Sequence, residues 1–302
     1  MFHEEEAEAW VRAHVEPVGG MELVHERPWG TVRRLPVAGG VAWFKVCAPA
    51  QAFEPGLTAA LAGRWSDRVP DVLGYDDEHA WLLLGDAGEP LGFDGGPEPW
   101  MSVLPRYAEL QHGEAAHAAE HLDGGVPDRR IATFPALYET MLARELPLRR
   151  GDLARLRAFA PRFAELSDEL AAQGIPETIQ HDDLHGANVY PRGGTPRILD
   201  WGDSCVSHPF VTLFVTFLHL DEVGARDSAW YASLRDVYLE PWGRPIELRA
   251  TFELALRLGA FAHVFKELRV LDAIPEKERP RFGPDLPGLL ARCIAATATT
   301  GA

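Results

Sequence analysis

Apolar and polar positions change rhythm along this chain near residue 90. Between Glu4 and His14, acids alternate with Ala7, Trp10 and Val11, the spacing of a short amphipathic helix. Short β-like runs follow at Met21–Val24, Thr31–Leu35 and Val41–Cys47, with Ala38-Gly39-Gly40 as a hairpin turn between the last two. Glu54–Trp65 predicts a small helix. Val72–Tyr75 and Ala80–Leu84 predict two more strands, joined by Asp76-Asp77-Glu78. Together these predict a five-stranded antiparallel sheet with one inserted helix. The Gly- and Pro-rich stretch Gly85–Pro99 then reads as a linker with an exposed loop.

Beyond it the period becomes helical. Trp100, Val103, Leu104, Tyr107 and Ala108 share one face, as do Leu153, Leu156, Phe163, Leu166 and Leu170. Val211–Leu220, Trp230–Tyr238, Leu248–Leu271 and Leu286–Ala296 complete a mostly helical half. One β-like interruption sits inside it: Val189-Tyr190, a Gly193-Gly194 turn, then Arg197–Leu199. His112, His117 and His121 read as surface residues of an Ala-rich helix.

Composition narrows the classes. The chain has 302 residues, 46% apolar and 25% charged, as in ordinary globular proteins. With 29 basic and 45 acidic side chains the net charge is −16, which argues against a nucleic-acid partner, because phosphate backbones need clustered cations. Such acidity keeps a protein in solution and tolerates a cationic small substrate. Cys47, Cys205 and Cys293 are odd in number and far apart, so neither a metal spacing nor a disulfide framework follows, and a reduced cytoplasm is expected. The acidic opening Met1–Glu6 lacks the apolar run of a secretory signal, and Pro209–Leu220 is too short to span a bilayer, so no membrane partner is expected.

The chemistry concentrates in Gln180-His181-Asp182-Asp183-Leu184-His185-Gly186-Ala187-Asn188, followed by Ile198-Leu199-Asp200-Trp201-Gly202-Asp203. Phosphoryl transfer from ATP needs a carboxylate to take the proton of the attacking hydroxyl, oxygen ligands for Mg²⁺, and a cation on the α/β-phosphates. Asp183 and Asn188 put one base and one ligand on a single short loop. The strand–turn–strand after it returns Asp200 to the same place.

The run His-x-Asp-Leu-His-x-x-Asn with an apolar-Asp-Trp segment after it resembles the aminoglycoside phosphotransferase and choline kinase-like family. The resemblance implies an α+β, bilobal protein-kinase-like fold: an N-lobe with a small antiparallel sheet over 1–86 and a larger, mostly helical C-lobe over 87–302. It implies Asp183 as catalytic base and Asn188 and Asp200 as Mg²⁺ ligands, with His181, His185 and Trp201 bracing the loop. Two positions depart from the family pattern. Asp182 stands where Gly is common, and Ser207-His208-Pro209 stands where a Gly-Asp-Pro-like segment is common.

The N-terminal half carries a matching feature. Lys45, the only lysine before residue 266, lies in the apolar run Val41–Val46, and a buried ammonium there needs a partner. Glu54 on the next helix is the natural one. Ala80–Asp86 resembles the strand entering the interlobe hinge, which places Leu84, Asp86 and Ala87 at the adenine. His25-Glu26-Arg27-Pro28-Trp29-Gly30 holds a single glycine at the phosphate loop. The expectation is a Mg·ATP-dependent enzyme that phosphorylates a hydroxyl of a small molecule, an amino sugar or aminoglycoside among the acceptors. Two alternatives stand beside it: a metal-dependent hydrolase using His181, Asp183 and His185, and a catalytically silent kinase-like binding module. Asp182, Asp203, Asp221 and Glu222 are acids that would hold a cationic acceptor if they face the cleft.

Overall fold

The computed structural model describes residues 4–94, 96–192, 194–222 and 228–298. Helix α1 (Glu4–His14) precedes strands β1 (Glu22–Arg27), β2 (Gly30–Val37) and β3 (Gly40–Cys47), helix α2 (Glu54–Arg64), and strands β4 (Val72–Asp76) and β5 (Trp81–Gly85). The strands form one antiparallel sheet in the order β1-β2-β3-β5-β4. Alternation along β3 explains what each face does. Ala42 and Phe44 are buried in a small core with Leu35, Trp81, Leu83, Ala7 and Val11. Trp43 and Lys45 point the other way, into a cleft. Strand β1 runs past Val24 to Arg27, because its ladder with β2 continues to the Arg27–Gly30 pair. All its side chains are exposed, so no apolar period marks its end.

The second half packs α3 (Trp100–Glu114), α4 (Ala118–Asp123), α5 (Phe134–Leu142), α6 (Arg150–Ala171), α7 (Leu213–Glu222), α8 (Ser228–Leu239), α9 (Pro245–Ala273), α10 (Arg279–Phe282) and α11 (Leu286–Ala298). Its core is aromatic: Tyr138 stacks on Phe163 at 4.4 Å, and Phe261 meets Phe163 edge-on at 5.0 Å. Two small sheets lie between α6 and α7. Strand β6 (Thr178–Gln180) pairs with β9 (Cys205–Ser207), and β7 (Val189–Arg192) pairs with β8 (Thr195–Ile198). Strands β6 and β9 have three residues each, too few to show a period. Among the described residues no helix is long and apolar enough to cross a membrane.

The stretch after β5 is not a free loop. Leu91 donates its N–H to the Val189 carbonyl (2.7 Å) and Gly92 to the Gly186 carbonyl (2.9 Å). A Cβ on Gly186 would lie 1.9 Å from the Gly92 carbonyl oxygen, so only glycine permits this approach.

Buried polar groups tie the halves together. The Glu114 carboxylate, on α3, accepts two hydrogen bonds from Arg64 (both 2.8 Å) and one from the Trp65 indole (2.7 Å) at the end of α2. The fourth bond is to His121 at 2.8 Å, a residue expected at the surface but buried at 3% exposure because its ring fills this pocket. Burial alone would raise the Glu114 pKa, but the bonds from His121, Arg64 and Trp65 hold it at about 2. Its ordinary value is 4.5. A depressed carboxylate stabilises the fold above its unfolded pKa and loses that contribution as pH falls through the folded one. We therefore expect the wild type to lose about 3 kcal/mol at this site between pH 5 and pH 2. Denaturant melts across that range should show Glu114→Gln, weaker at neutral pH, lacking this increment of acid sensitivity.

Candidate active site

Strand β6 delivers the chain to the site through a buried polar network. Gln180 accepts hydrogen bonds from Gln111 (2.7 Å) and Thr212 (2.8 Å), and Tyr238 donates to Gln111 (2.7 Å). Every one of these polar atoms is satisfied, so the strand end has one position. The next residue, His181, is fully buried and joins two loops. Its Nδ1 accepts the Asp183 N–H at 3.3 Å, and its Nε2 donates to the Leu199 carbonyl at 2.7 Å. Burial lowers the pKa of His181, consistent with this neutral tautomer. Its ring lies 4.9 Å from that of Trp201. Because both nitrogens are committed, His181 is not a metal ligand. Among the described residues no three His, Cys, Asp or Glu side chains are grouped to hold a metal ion. The arrangement does not support a hydrolase built on His181, Asp183 and His185.

Asp182 has φ +58°, a left-handed conformation in which glycine is the unstrained residue. Its carboxylate turns inward, away from the cleft, and pairs with the buried guanidinium of Arg129. Burial raises the Asp182 pKa, and Arg129 offsets part of that rise. Arg129 is held by its own backbone, which donates to the Val206 carbonyl of β9 at 2.9 Å. His208 is buried too, and its Nδ1 accepts the Phe210 N–H at 3.2 Å where the chain turns toward α7. Burial holds its pKa down at about 3, so the ring is neutral.

The predicted site residues gather at one cleft of about 470 Å³, lined by Lys45, Glu54, Leu84, Asp86, Ala87, Asn188 and Asp200, with Asp183 on the same loop as Asn188. Lys45 reaches Glu54 at 2.7 Å and Asp200 at 2.6 Å. Burial works against the Lys45 charge, but Asp200 and Glu54 overturn it and hold the ammonium well above its ordinary pKa. Lys45 in turn lowers Asp200, whose backbone is also left-handed (φ +65°). Asp200 is 51% exposed, so its carboxylate opens to the cleft. The Asn188 amide donates to the Asp183 carbonyl at 3.0 Å, which aims its oxygen away from that loop. Trp43 donates to the Asp86 carboxylate at 3.4 Å, fixing the turn out of β5. Helix α2 comes this close to the Asp200 turn because Gly202 has no Cβ: one there would sit 2.6 Å from Glu54 Oε2.

Two cations were not legible as site residues. Arg129 is one. Lys266, on α9, is the other, and its Nζ lies 3.2 Å from Asp183 Oδ1. The signal was a lysine directly after the apolar pair Val264-Phe265 of a helical segment, one of only three lysines in the chain. Asp203, considered above as a ligand for cationic acceptors, pairs with Lys266 (3.6 Å) and Arg269 (3.5 Å) and accepts from Gln51 (3.2 Å). Glu222's side chain lies outside the described residues.

A small sheet and a helical half meet at a Lys–Glu–Asp cleft beside an Asp–Asn loop, in a phosphotransferase with a protein-kinase-like fold. The chain belongs to the phosphotransferase enzyme family known as APH, whose sequence model matches residues 50–251. Solved structures agree on the fold. Choline kinase LicA from Streptococcus pneumoniae is 13% identical, with a TM-score of 0.66 and 98% of this chain covered against 99% of that one. A choline/ethanolamine kinase family protein from Mesorhizobium loti is 18% identical, with a TM-score of 0.60 and coverages of 98% and 95%. The GDP complex of wild-type aminoglycoside 2'-phosphotransferase-IIIa is 14% identical, with a TM-score of 0.64 and coverages of 97% and 99%. No curated protein sequence matches the chain significantly.

The Arg129–Asp182 pair is testable alone. Arg129→Met orphans a buried carboxylate and should cost about 3–5 kcal/mol in denaturant unfolding. Adding Asp182→Gly removes both the orphan and the left-handed strain, and the double variant should recover at least half of the loss.

Proposed function

We propose that the protein transfers the γ-phosphoryl group of ATP to a hydroxyl of a small molecule, with Mg²⁺ as the accompanying ion and the lobe boundary at the turn Asp86–Ala87. The observation that carries this reading is the 2.6 Å pairing of Lys45, from the sheet, with Asp200, from the helical half, at the cleft that Asn188 also lines. The adenine would lie between Val32, Trp43 and Leu84 on one side and Tyr190 and Leu199 on the other, against the Asp86–Ala87 backbone. Lys45, fixed by Glu54, would hold the α/β-phosphates. Asn188 and Asp200 suit Mg²⁺, because each presents oxygen to the cleft and Mg²⁺ takes such ligands. When bound, the ion supplies neutralisation of phosphate charge.

Asp183 would receive the acceptor hydroxyl. Burial favours its protonation, but Lys266 and His185, the latter at 3.3 Å, hold its pKa below the usual carboxylate range. An ionised Asp183 accepts the hydroxyl's hydrogen bond, aims the oxygen at phosphorus and takes the proton as the new P–O bond forms and the bond from the γ-phosphorus to the β,γ-bridging oxygen breaks, releasing ADP. Catalysis then rests mainly on alignment and charge placement. The carboxylates of Asp182 and Asp203 are already matched by protein cations, so an amino-sugar or aminoglycoside acceptor would find its ammonium ligands elsewhere in the cleft.

Two variants separate the roles. Asp183→Asn should lower turnover about 10²–10⁴-fold while nucleotide affinity stays near wild type. Asp200→Ala should instead weaken ATP binding when Mg²⁺ is present, as read by calorimetric titration with and without the ion. Full turnover in Asp183→Asn, or unchanged Mg·ATP affinity in Asp200→Ala, would refute the assignment.

A further inference from the structure

The helical half places an ammonium beneath the catalytic loop. Lys266 projects from α9 and is only 3% exposed. Its Nζ meets three carboxylates: Asp183 at 3.2 Å, Asp203 at 3.6 Å and Glu267 at 2.9 Å. Each belongs to a different part of the fold. Asp183 is on the loop after β6, Asp203 ends the turn after Asp200, and Glu267 is on α9 itself. Each acid also has a second nitrogen partner: the His185 ring for Asp183 (3.3 Å), Arg269 for Asp203 (3.5 Å) and the His263 ring for Glu267 (3.3 Å).

Packing does not require this arrangement. A helix that buries Phe261, Val264, Phe265 and Leu268 could bury one more apolar side chain at lower desolvation cost. Asp203 and Glu267 already have partners that would hold them at the surface of α9. What the ammonium adds is a direct bond to Asp183, the carboxylate assigned above to the acceptor hydroxyl. Asp183 is 31% exposed, so its carboxylate reaches the cleft while Lys266 holds Oδ1 and the His185 ring lies 3.3 Å from Oδ2. Its rotamer is thus set from two sides, by Lys266 below and His185 within the loop. A carboxylate fixed in this way presents its remaining lone pairs in one orientation, the requirement for in-line attack.

We propose that Lys266 is a positioning residue for phosphoryl transfer, fixing the Asp183 carboxylate toward the acceptor hydroxyl and joining the Asp183 loop to the Asp200–Asp203 turn. This rests on the phosphotransferase reading above, and the ammonium acts through Asp183 rather than on the nucleotide.

A double-mutant cycle tests it on the whole 302-residue chain with Mg·ATP and an acceptor found by an ADP-release screen. The forms compared are wild type, Lys266→Met, Lys266→Arg, Asp183→Asn and Lys266→Met/Asp183→Asn. Kinetic constants and Mg·ATP affinity are measured for each. Lys266→Met should lower kcat on the order of 10–10²-fold with nucleotide affinity within about twofold of wild type. Lys266→Arg should restore part of kcat. In the Asp183→Asn background Lys266→Met should cost nothing further, because the group it positions is gone. If Lys266→Met does not fold, the pair Lys266→Met/Asp203→Asn removes one of the acids that lose the ammonium and is compared with Asp203→Asn alone. An unchanged kcat, or the same fold-loss in both backgrounds, would overturn the proposal and leave the phosphotransferase reading standing. Absence of acceptor-dependent ADP release in the wild type would overturn both.

Discussion

An ammonium withdrawn from water needs carboxylates, and that requirement organises this molecule at the cleft. Lys45 sits on a strand whose other face is a hydrophobic core, so it points where no bulk water reaches it freely. Glu54 and Asp200 both come to it, one from a helix packed on the sheet and one from a turn in the helical half. The pairing determines much around it. Helix α2 must approach the Asp200 turn, which Gly202 permits, and Asp200 must adopt a left-handed backbone to aim its carboxylate. Each of these would be a local cost without the ion triad. Together they leave a carboxylate and an amide facing one space, beside a loop that carries a third oxygen group.

A second principle is that the site's acids are matched before any ligand arrives. Asp182 turns to Arg129, and Asp203 to Lys266 and Arg269. The net charge of −16 therefore says little about the acceptor. The local balance near Asp183 is set by protein cations on α9, and the surplus acid lies on surfaces remote from the chemistry, such as the first turn of α1.

Much of this was legible in the sequence, for physical reasons. The sheet was readable because β2, β3 and β5 bury one face and the turns between them are Gly-rich or acidic. Lys45 stood out because a lysine in an apolar strand must be explained, and Asp183, Asn188 and Asp200 because their order carries a loop–hairpin–turn geometry. Other features depend on contacts that no local pattern encodes. The strands β6 and β9 exist only by pairing across the Asp200 turn. His121 is buried on Glu114, a carboxylate that Arg64 and Trp65 at the end of the sequence-distant α2 also bind. The inward turn of Asp182 required Arg129 to be known as its partner, and the Gly85–Pro99 stretch looked open because its anchor, Gly186, lies far along the chain. Lys266 belongs with these: its helix was foreseen, but not what faced it.

The central claim is that Lys45, fixed by Glu54 and Asp200, holds a Mg-nucleotide. It is tested most directly by calorimetric titration of ATP into wild type and Lys45→Met, each with and without Mg²⁺. Losing a charge-assisted phosphate contact should weaken Mg·ATP binding about 10–100-fold in Lys45→Met, and the wild type should bind more tightly with Mg²⁺ than without it. Equal affinity in the two proteins, with no dependence on Mg²⁺ in either, would contradict the account.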